Sequence, residues 1–419
     1  MSIRQLLLSV SIFASSFAYA NPALENTYTT FIPYEDAIST RSNAKEAFTI
    51  SHMPTVFNIS ETSATILWGT NKPAISWVEI APDDGTHFYK TDRQKYFDYV
   101  FGSKRVGKTH RIKIDNLKPN TSYRFRIFSR EVIGSRNSGI DFGATSSTRV
   151  WQLEPLMFKT LDPNKKSVRF AVVNDIHEKS DRLRKLLTNV KDCDFLMMNG
   201  DIVSMSISAE HYFRSFLDAL AERTIPGQPA LPLFFLRGNH ETRGVFAQNV
   251  MDMIPTPDGK PYYSFRIGDV AFLAIDSGED KPDADIAYYD MINFDDFRKN
   301  QAKFFEKEIE KEEIKNAPVK IAFTHMPIGI DTKGRDWHGI LHARENFAPI
   351  LEKWNANLLI SGHIHRRDFF PPSKNLNLPN LVNSNTEILI VDVNQTEISV
   401  KVYDTEAKLI GTHNFPIKK

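Results

Sequence analysis

Five short apolar runs, at 168–173, 195–198, 233–236, 319–323 and 358–360, each break off into a cluster of acid, amide or imidazole side chains. Apolar runs of this length, bounded by polar residues and glycines, read as buried strands. Amphipathic segments separate them: 182–190, 211–223, and a stretch from Asp295 to about Lys315 with Phe297, Phe304, Phe305 and Ile309 at helical spacing. Alternation of this kind predicts a sheet covered by helices. The polar clusters then share the carboxyl edge of the sheet, where open α/β sheets bind ligands.

The clusters are Asp175-Ile176-His177, Gly200-Asp201, Gly238-Asn239-His240-Glu241, Thr324-His325 and Gly362-His363-Ile364-His365. In extended backbone, residues two apart point to one side, so Asp175 with His177, and His363 with His365, are expected to converge. The glycines allow tight turns and close backbone approach beside each ligand. Imidazole, carboxylate and one amide oxygen suit borderline and hard cations rather than thiolate-loving ones. One carboxylate can bridge two cations roughly 3.5–4 Å apart, the separation used by two-metal hydrolases. Each block alone is commonplace: Asp-x-His or Gly-Asp is usually a turn, and a lone His is usually structural. Five in order, each at a strand end, point to a metal cage.

This order resembles the calcineurin-like metallophosphoesterase superfamily over roughly 168–370 and, with the strand-rich region before it, the purple acid phosphatase branch. The resemblance implies two divalent or trivalent metal ions (Zn, Mn, Fe or Mg). Asp175, His177, Asp201 and His365 would hold one; Asp201, Asn239, His325 and His363 would hold the other, with Asp201 as bridge. It makes His240 the non-ligand residue that touches the scissile phosphate and protonates the leaving oxygen. The implied activity is hydrolysis of a small phosphate ester by metal-activated hydroxide, as a phosphomonoesterase or, alternatively, a phosphodiesterase or nucleotidase. A non-catalytic exported binding or adhesion protein is the alternative of another class. Purple acid phosphatases place a metal-binding Tyr three residues after the Gly-Asp aspartate, where this chain has Ser204. No iron–tyrosinate colour is therefore expected, unless Tyr212 or another Tyr reaches in. Arg237, Arg243 and His338 are candidate substrate contacts, and the acidic, aromatic stretch 277–294 reads as either a lid or a solvated loop.

From 53 to 150 the pattern changes to short alternating runs, at 55–60, 64–69, 75–80, 110–114 and 123–129, with turn signals at Asp83-Asp84-Gly85 and Pro119-Asn120. These predict an antiparallel sandwich. Residues 117–123 resemble the tyrosine corner of fibronectin type III domains, with Tyr123 tying down a turn and Trp68 in the core. The expected fold class is α+β/β multi-domain: an N-terminal antiparallel β-sandwich (53–150), then an α/β metallophosphoesterase sandwich of two helix-flanked sheets (163–417). Its tail, 387–417, returns to hairpin-like strands.

Residues 21–52 read as an arm or linker. Arg4, the apolar stretch 6–17 and Ala18-Tyr19-Ala20 read as a signal peptide, 1–20, because the stretch is shorter than the roughly 20 residues of a membrane span. An exported protein, periplasmic or secreted and without a membrane anchor, is expected. The 52 Lys and Arg nearly cancel the 51 Asp and Glu, which argues against a nucleic-acid partner. Cys193 is the only cysteine, so no intramolecular disulfide forms, and it reads as a small buried hydrophobe.

Overall fold

The computed structural model describes residues 46–137, 139–150, 155–334 and 337–417. The expected signal peptide and the first part of the expected arm lie outside the described residues. Strands Val168–Val173, Phe195–Asn199 and Leu233–Leu236 run parallel, side by side. Glu387–Val393 joins antiparallel, followed outward by Glu397–Asp404 and Leu409–Pro416. A second sheet has the order Tyr263–Ile267, Val270–Ile275, Val319–Thr324, Leu358–Ser361, Asn380–Val382, Asp368–Phe370. Its four inner strands are parallel.

Period-two alternation decides how these sheets stack. Phe170, Val172 and Phe195 point into the layer between them, meeting Phe265, Phe272 and Phe323; Phe170 and Phe272 meet edge to face at 5.5 Å. Ala171, Val173, Leu196 and Met198 point outward and are covered by Ser180–Leu187 and a helix at 209–221. The opposite face is covered by Phe294–Glu308 and His338–Lys353. Each fully buried Phe contributes on the order of 1.5–3 kcal/mol. Both sheets thus present their strand ends to one shared edge.

Several sequence readings need correction. The runs at 64–69 and 75–80 are one strand, Ala64–Pro82, whose first half pairs with Ile50–Phe57 and Gly107–Ile114 and whose second half pairs with Ser122–Arg136. The ladder to Gly107–Ile114 is irregular between Gly69 and Ala74, where Pro73 has no N–H to donate. Strand Ile50–Phe57 crosses the expected linker boundary at 52, and Leu156–Lys159, beyond the expected end at 150, still pairs with the sandwich. The stretch 295–315 is two helices, Phe294–Glu308 and Glu312–Lys315. Tyr123 accepts the Lys118 N–H at 2.9 Å, and Trp68 is fully buried with its Nε1–H on Ser129 Oγ at 3.0 Å.

The two parts meet through backbone: Phe57 pairs parallel with Leu233, and the Asn58 N–H donates to the Leu233 carbonyl at 3.0 Å. Cys193 is only half-buried, and burial pushes its thiol pKa up to about 11. No helix among the described residues is long and apolar enough to cross a membrane.

Candidate metal centre

The five clusters come together at the shared edge, though not by the extended backbone expected. Asp175, His177, Asp201, His363 and His365 all have positive φ, between 47° and 73°. Consecutive kinks, rather than strand pleating, turn these side chains to one point, and backbone held there stores strain. The loops brace each other: the N–H groups of Asp175 and His177 donate to the carbonyls of Gly200 and Asp201 at 2.9 and 3.1 Å. Gly238 is required by close approach, since a Cβ there would lie 2.2 Å from Asp201 Oδ1.

Asp175 is fully buried. Its Oδ2 accepts from the His363 N–H at 2.8 Å and the Asn174 amide at 2.6 Å, while its buried Oδ1 has no hydrogen-bond partner. That free oxygen faces His365 Nε2 at 3.2 Å, with His325 Nε2 and His177 Nε2 at 3.8 and 3.9 Å. Asp201 Oδ1 takes the His240 N–H at 2.9 Å, leaving Oδ2 to face His325 Nε2 at 2.9 Å. His325 Nδ1–H donates to the Asn199 carbonyl at 2.8 Å, which fixes the ring and turns Nε2 inward. Asn239 Oδ1 lies 3.0 Å from His363 Nδ1, and the Nε2 atoms of His177 and His365 lie 3.1 Å apart.

Two buried carboxylates side by side demand a cation. Burial acts to lower the pKa of His325, but the Asp201 and Asp175 carboxylates outweigh it and raise it to about 10. Burial, with His325 next, pushes His363 down to about 4. The two acids favour positive charge at His325, and a cation bound there would displace that proton, since imidazole ligates only when neutral. Asp175, His177 and His365 form one group able to hold an ion, and Asp201, His325 and His363 another. The unpartnered Asp175 Oδ1 fits a metal ion in the first.

His240 stands at the edge of the cage. Its Nδ1–H donates to the Ser204 carbonyl at 2.7 Å, its Nε2 is 3.9 Å from Asp201 Oδ2, and its ring meets that of His177 edge to face at 4.8 Å. It also lies within coordinating distance of His177 and Asp201. Arg243 Nη1 is 3.4 Å from His240 Nε2, while Nε and Nη2 hold Glu279 at 2.8 Å.

Two candidate substrate contacts are spent elsewhere. Arg237 pairs with the fully buried Asp276 at 2.5 Å and lies over Phe294 and Phe297. His338 holds Asp295 at 2.9 Å and stacks on His342. Tyr212 does not reach the cage: it is buried, with its hydroxyl on Ser206 Oγ at 2.7 Å. The stretch 277–294 is built rather than loose, because Asp283 caps helix Phe294–Glu308 and Tyr288 donates to Glu279 at 2.5 Å. Ile286, Tyr289 and Met291 remain exposed on it.

Glu241, read only as part of its motif, proves to be a clamp. Its Oε2 accepts the N–H groups of Asp201 and Gly238, and its Oε1 those of Ile202 and Val203. Burial and the Asp201 charge push its pKa up to about 7 against the pull of those donors. The motif carried no hint of this, since three of the four donors lie about forty residues away.

Residues 168–367 match the calcineurin-like phosphoesterase family, and residues 52–149 match the N-terminal domain of purple acid phosphatases. No curated protein sequence matches the chain. A purple acid phosphatase from yellow lupin (Lupinus luteus) seeds is similar in fold, at 13% identity and TM-score 0.62, over 87% of this chain and 74% of that one. A 5′-nucleotidase from Candida albicans, at 13% identity, aligns with TM-score 0.34 over 61% of this chain and 53% of its own.

Proposed function

The chain is a phosphoesterase, with a calcineurin-like phosphoesterase domain behind a purple acid phosphatase N-terminal domain, and we propose from this premise that it is an exported, dinuclear phosphomonoesterase. The observation that carries the reading is the fully buried Asp175 Oδ1, which has no hydrogen-bond partner, among converging carboxylates and imidazoles. A binding or adhesion protein has no use for such a costly arrangement.

Asp175, His177, Asp201 and His365 would hold one ion, and Asp201, Asn239, His325 and His363 the other, with Asp201 common to both. Bound cations at such a site supply a hydroxide near neutral pH and neutralise phosphoryl oxygens. The protein's own groups do the rest. Asn199 orients His325, and Asn174 with the His363 N–H orients Asp175. His240, anchored through Nδ1 on the Ser204 carbonyl, turns Nε2 toward the site, where it would pass a proton to the leaving oxygen as general acid. Arg243, held by Glu279 beside that Nε2, favours anion at the same place. Export rests on the leader-like residues 1–20, and the ions are Zn, Mn, Fe or Mg.

Metal analysis together with hydrolysis of p-nitrophenyl phosphate and its bis ester tests the reading. Bound metal with faster turnover of the monoester is expected. Preference for the bis ester would move the assignment to phosphodiesterase; absence of both metal and metal-restored hydrolysis would sink it.

A further inference from the structure

One helix joins the N-terminal sandwich to the loops of the metal centre. It runs from 209 to 221, with Phe213–Leu217 wound as a π turn between α segments Ala209–Tyr212 and Asp218–Ala221. π turns of this kind concentrate at functional places in helices.

On the sandwich side the contact is His52, a buried residue of strand Ile50–Phe57. Its Nδ1 lies 2.9 Å from Asp218 Oδ1 and its Nε2 3.0 Å from Glu210 Oε2, so both ring nitrogens are engaged by the helix. Its ring stacks on Phe213 at 4.2 Å and 9°. Gly69 leaves the space for this stack: a Cβ there would lie 2.7 Å from His52 and 3.1 Å from Phe213.

On the metal side the first helical turn, capped by Ser208 Oγ on the His211 N–H, presents two side chains. His211 Nε2 lies 3.4 Å from Glu178 Oε1. Glu178 accepts the Ser204 hydroxyl at 2.6 Å, and Ser204 Oγ lies 3.3 Å from His177 Nδ1. Tyr212 reaches Ser206 Oγ, which donates to the Glu241 carbonyl at 2.8 Å; Glu241 grips the backbone of the Asp201 loop and Gly238. The two sets of polar contacts are joined by the backbone of the helix, which runs from Glu210, Phe213 and Asp218 on the His52 side to His211 and Tyr212 on the metal side.

We propose that His52 is a positioning residue: through the helix at 209–221, the N-terminal sandwich sets the placement of His177 and of the Asp201–His240 loops, and so tunes metal affinity and turnover without touching substrate. The turnover part rests on the phosphoesterase reading; the affinity part does not. Removing a group that orients a metal ligand from outside typically costs about 10–100-fold in affinity or activity, and His52 acts through the helix, so the lower end applies.

The test compares full-length wild type with His52→Ala, Tyr212→Phe and, as an exposed control just past the end of the same helix, Glu222→Ala, whose carboxylate bonds Arg184 rather than the clasp. Mn(II) affinity is measured by calorimetry, kcat and KM with p-nitrophenyl phosphate, and unfolding by fluorimetry. His52→Ala and Tyr212→Phe are expected to lose roughly tenfold in Mn(II) affinity and kcat with KM little changed, while Glu222→Ala behaves as wild type. Rescue toward wild-type affinity by His52→Gln, whose amide can still donate to one carboxylate, would support the contact itself. If His52→Ala lowers the unfolding temperature yet keeps wild-type Mn(II) affinity and kcat, the proposal is overturned and the sandwich is a mere prop. Should His52→Ala fail to fold, Tyr212→Phe decides, since it removes one hydroxyl from the same route. A wild type that binds Mn(II) but hydrolyses nothing would refute the phosphoesterase reading, and the affinity comparison would still decide this one.

Discussion

Glu241→Gln is nearly isosteric, yet the structure predicts severe damage. Glu241 is fully buried and each carboxylate oxygen accepts two backbone N–H groups: Oε2 from Asp201 and Gly238 at 2.9 and 2.7 Å, Oε1 from Ile202 and Val203 at 2.7 and 3.0 Å. A glutamine amide has only one acceptor oxygen. Whichever way it flips, its NH₂ faces two N–H donors that have lost their acceptor. Each buried donor left unsatisfied costs about 1–3 kcal/mol, so the loss is about 2–6 kcal/mol. For a domain of this size that lowers Tm by at least about 4 °C. The displaced loops carry Asp201, Asn239 and His240, so metal affinity should fall with stability. The assay is thermal unfolding and metal content at pH 8, where Glu241, with its pKa near 7, is mostly ionised. A Gln variant melting within about 1 °C of wild type, with full metal, would show that the four donors do not depend on the carboxylate and would refute the clamp.

His240→Ala should lower kcat by roughly 10²–10⁴-fold with metal retained; loss of metal would place His240 among the ligands. Arg237→Met should destabilise by about 3–5 kcal/mol, because it strands the buried Asp276 charge, while leaving KM unchanged; a raised KM would return Arg237 to the substrate. His52 supplies the pH dependence. Burial acts to lower its pKa, but Asp218 and Glu210 outweigh this and raise it above 6.5, with Arg214 also on Glu210. Its contribution to stability is therefore full below about pH 6.5 and lost as pH rises through the raised folded value. The difference in unfolding midpoint between wild type and His52→Gln should shrink with rising pH; a constant difference would contradict the charged clasp.

The metal cage was legible because its chemistry is written at the ends of strands, and a strand end is a local feature. Asp175, Asp201 and His325 needed only the apolar runs before them to be placed on one edge. What failed was everything decided by a partner remote in sequence. Arg237 and His338 read as candidate substrate contacts because nothing nearby in the chain announces Asp276 or Asp295 as their counter-ions. The clamp at Glu241 was invisible for the same reason, although the residue lay inside a motif read for its Asn and His. The convergence of Asp175 with His177 was expected for the wrong cause: left-handed kinks, not pleating, turn them.

Ser204 joins the two levels. A hydroxyl in place of a phenol was read as a missing ligand, which is a statement about what one residue cannot do. In the folded chain that hydroxyl binds Glu178 and lies against His177, while the Ser204 carbonyl anchors His240. One short side chain and its own backbone thus touch His177 and His240 together at the edge of the cluster. Composition at a motif position limits which ions a site can take; only the neighbours brought in by the fold say what the residue does instead.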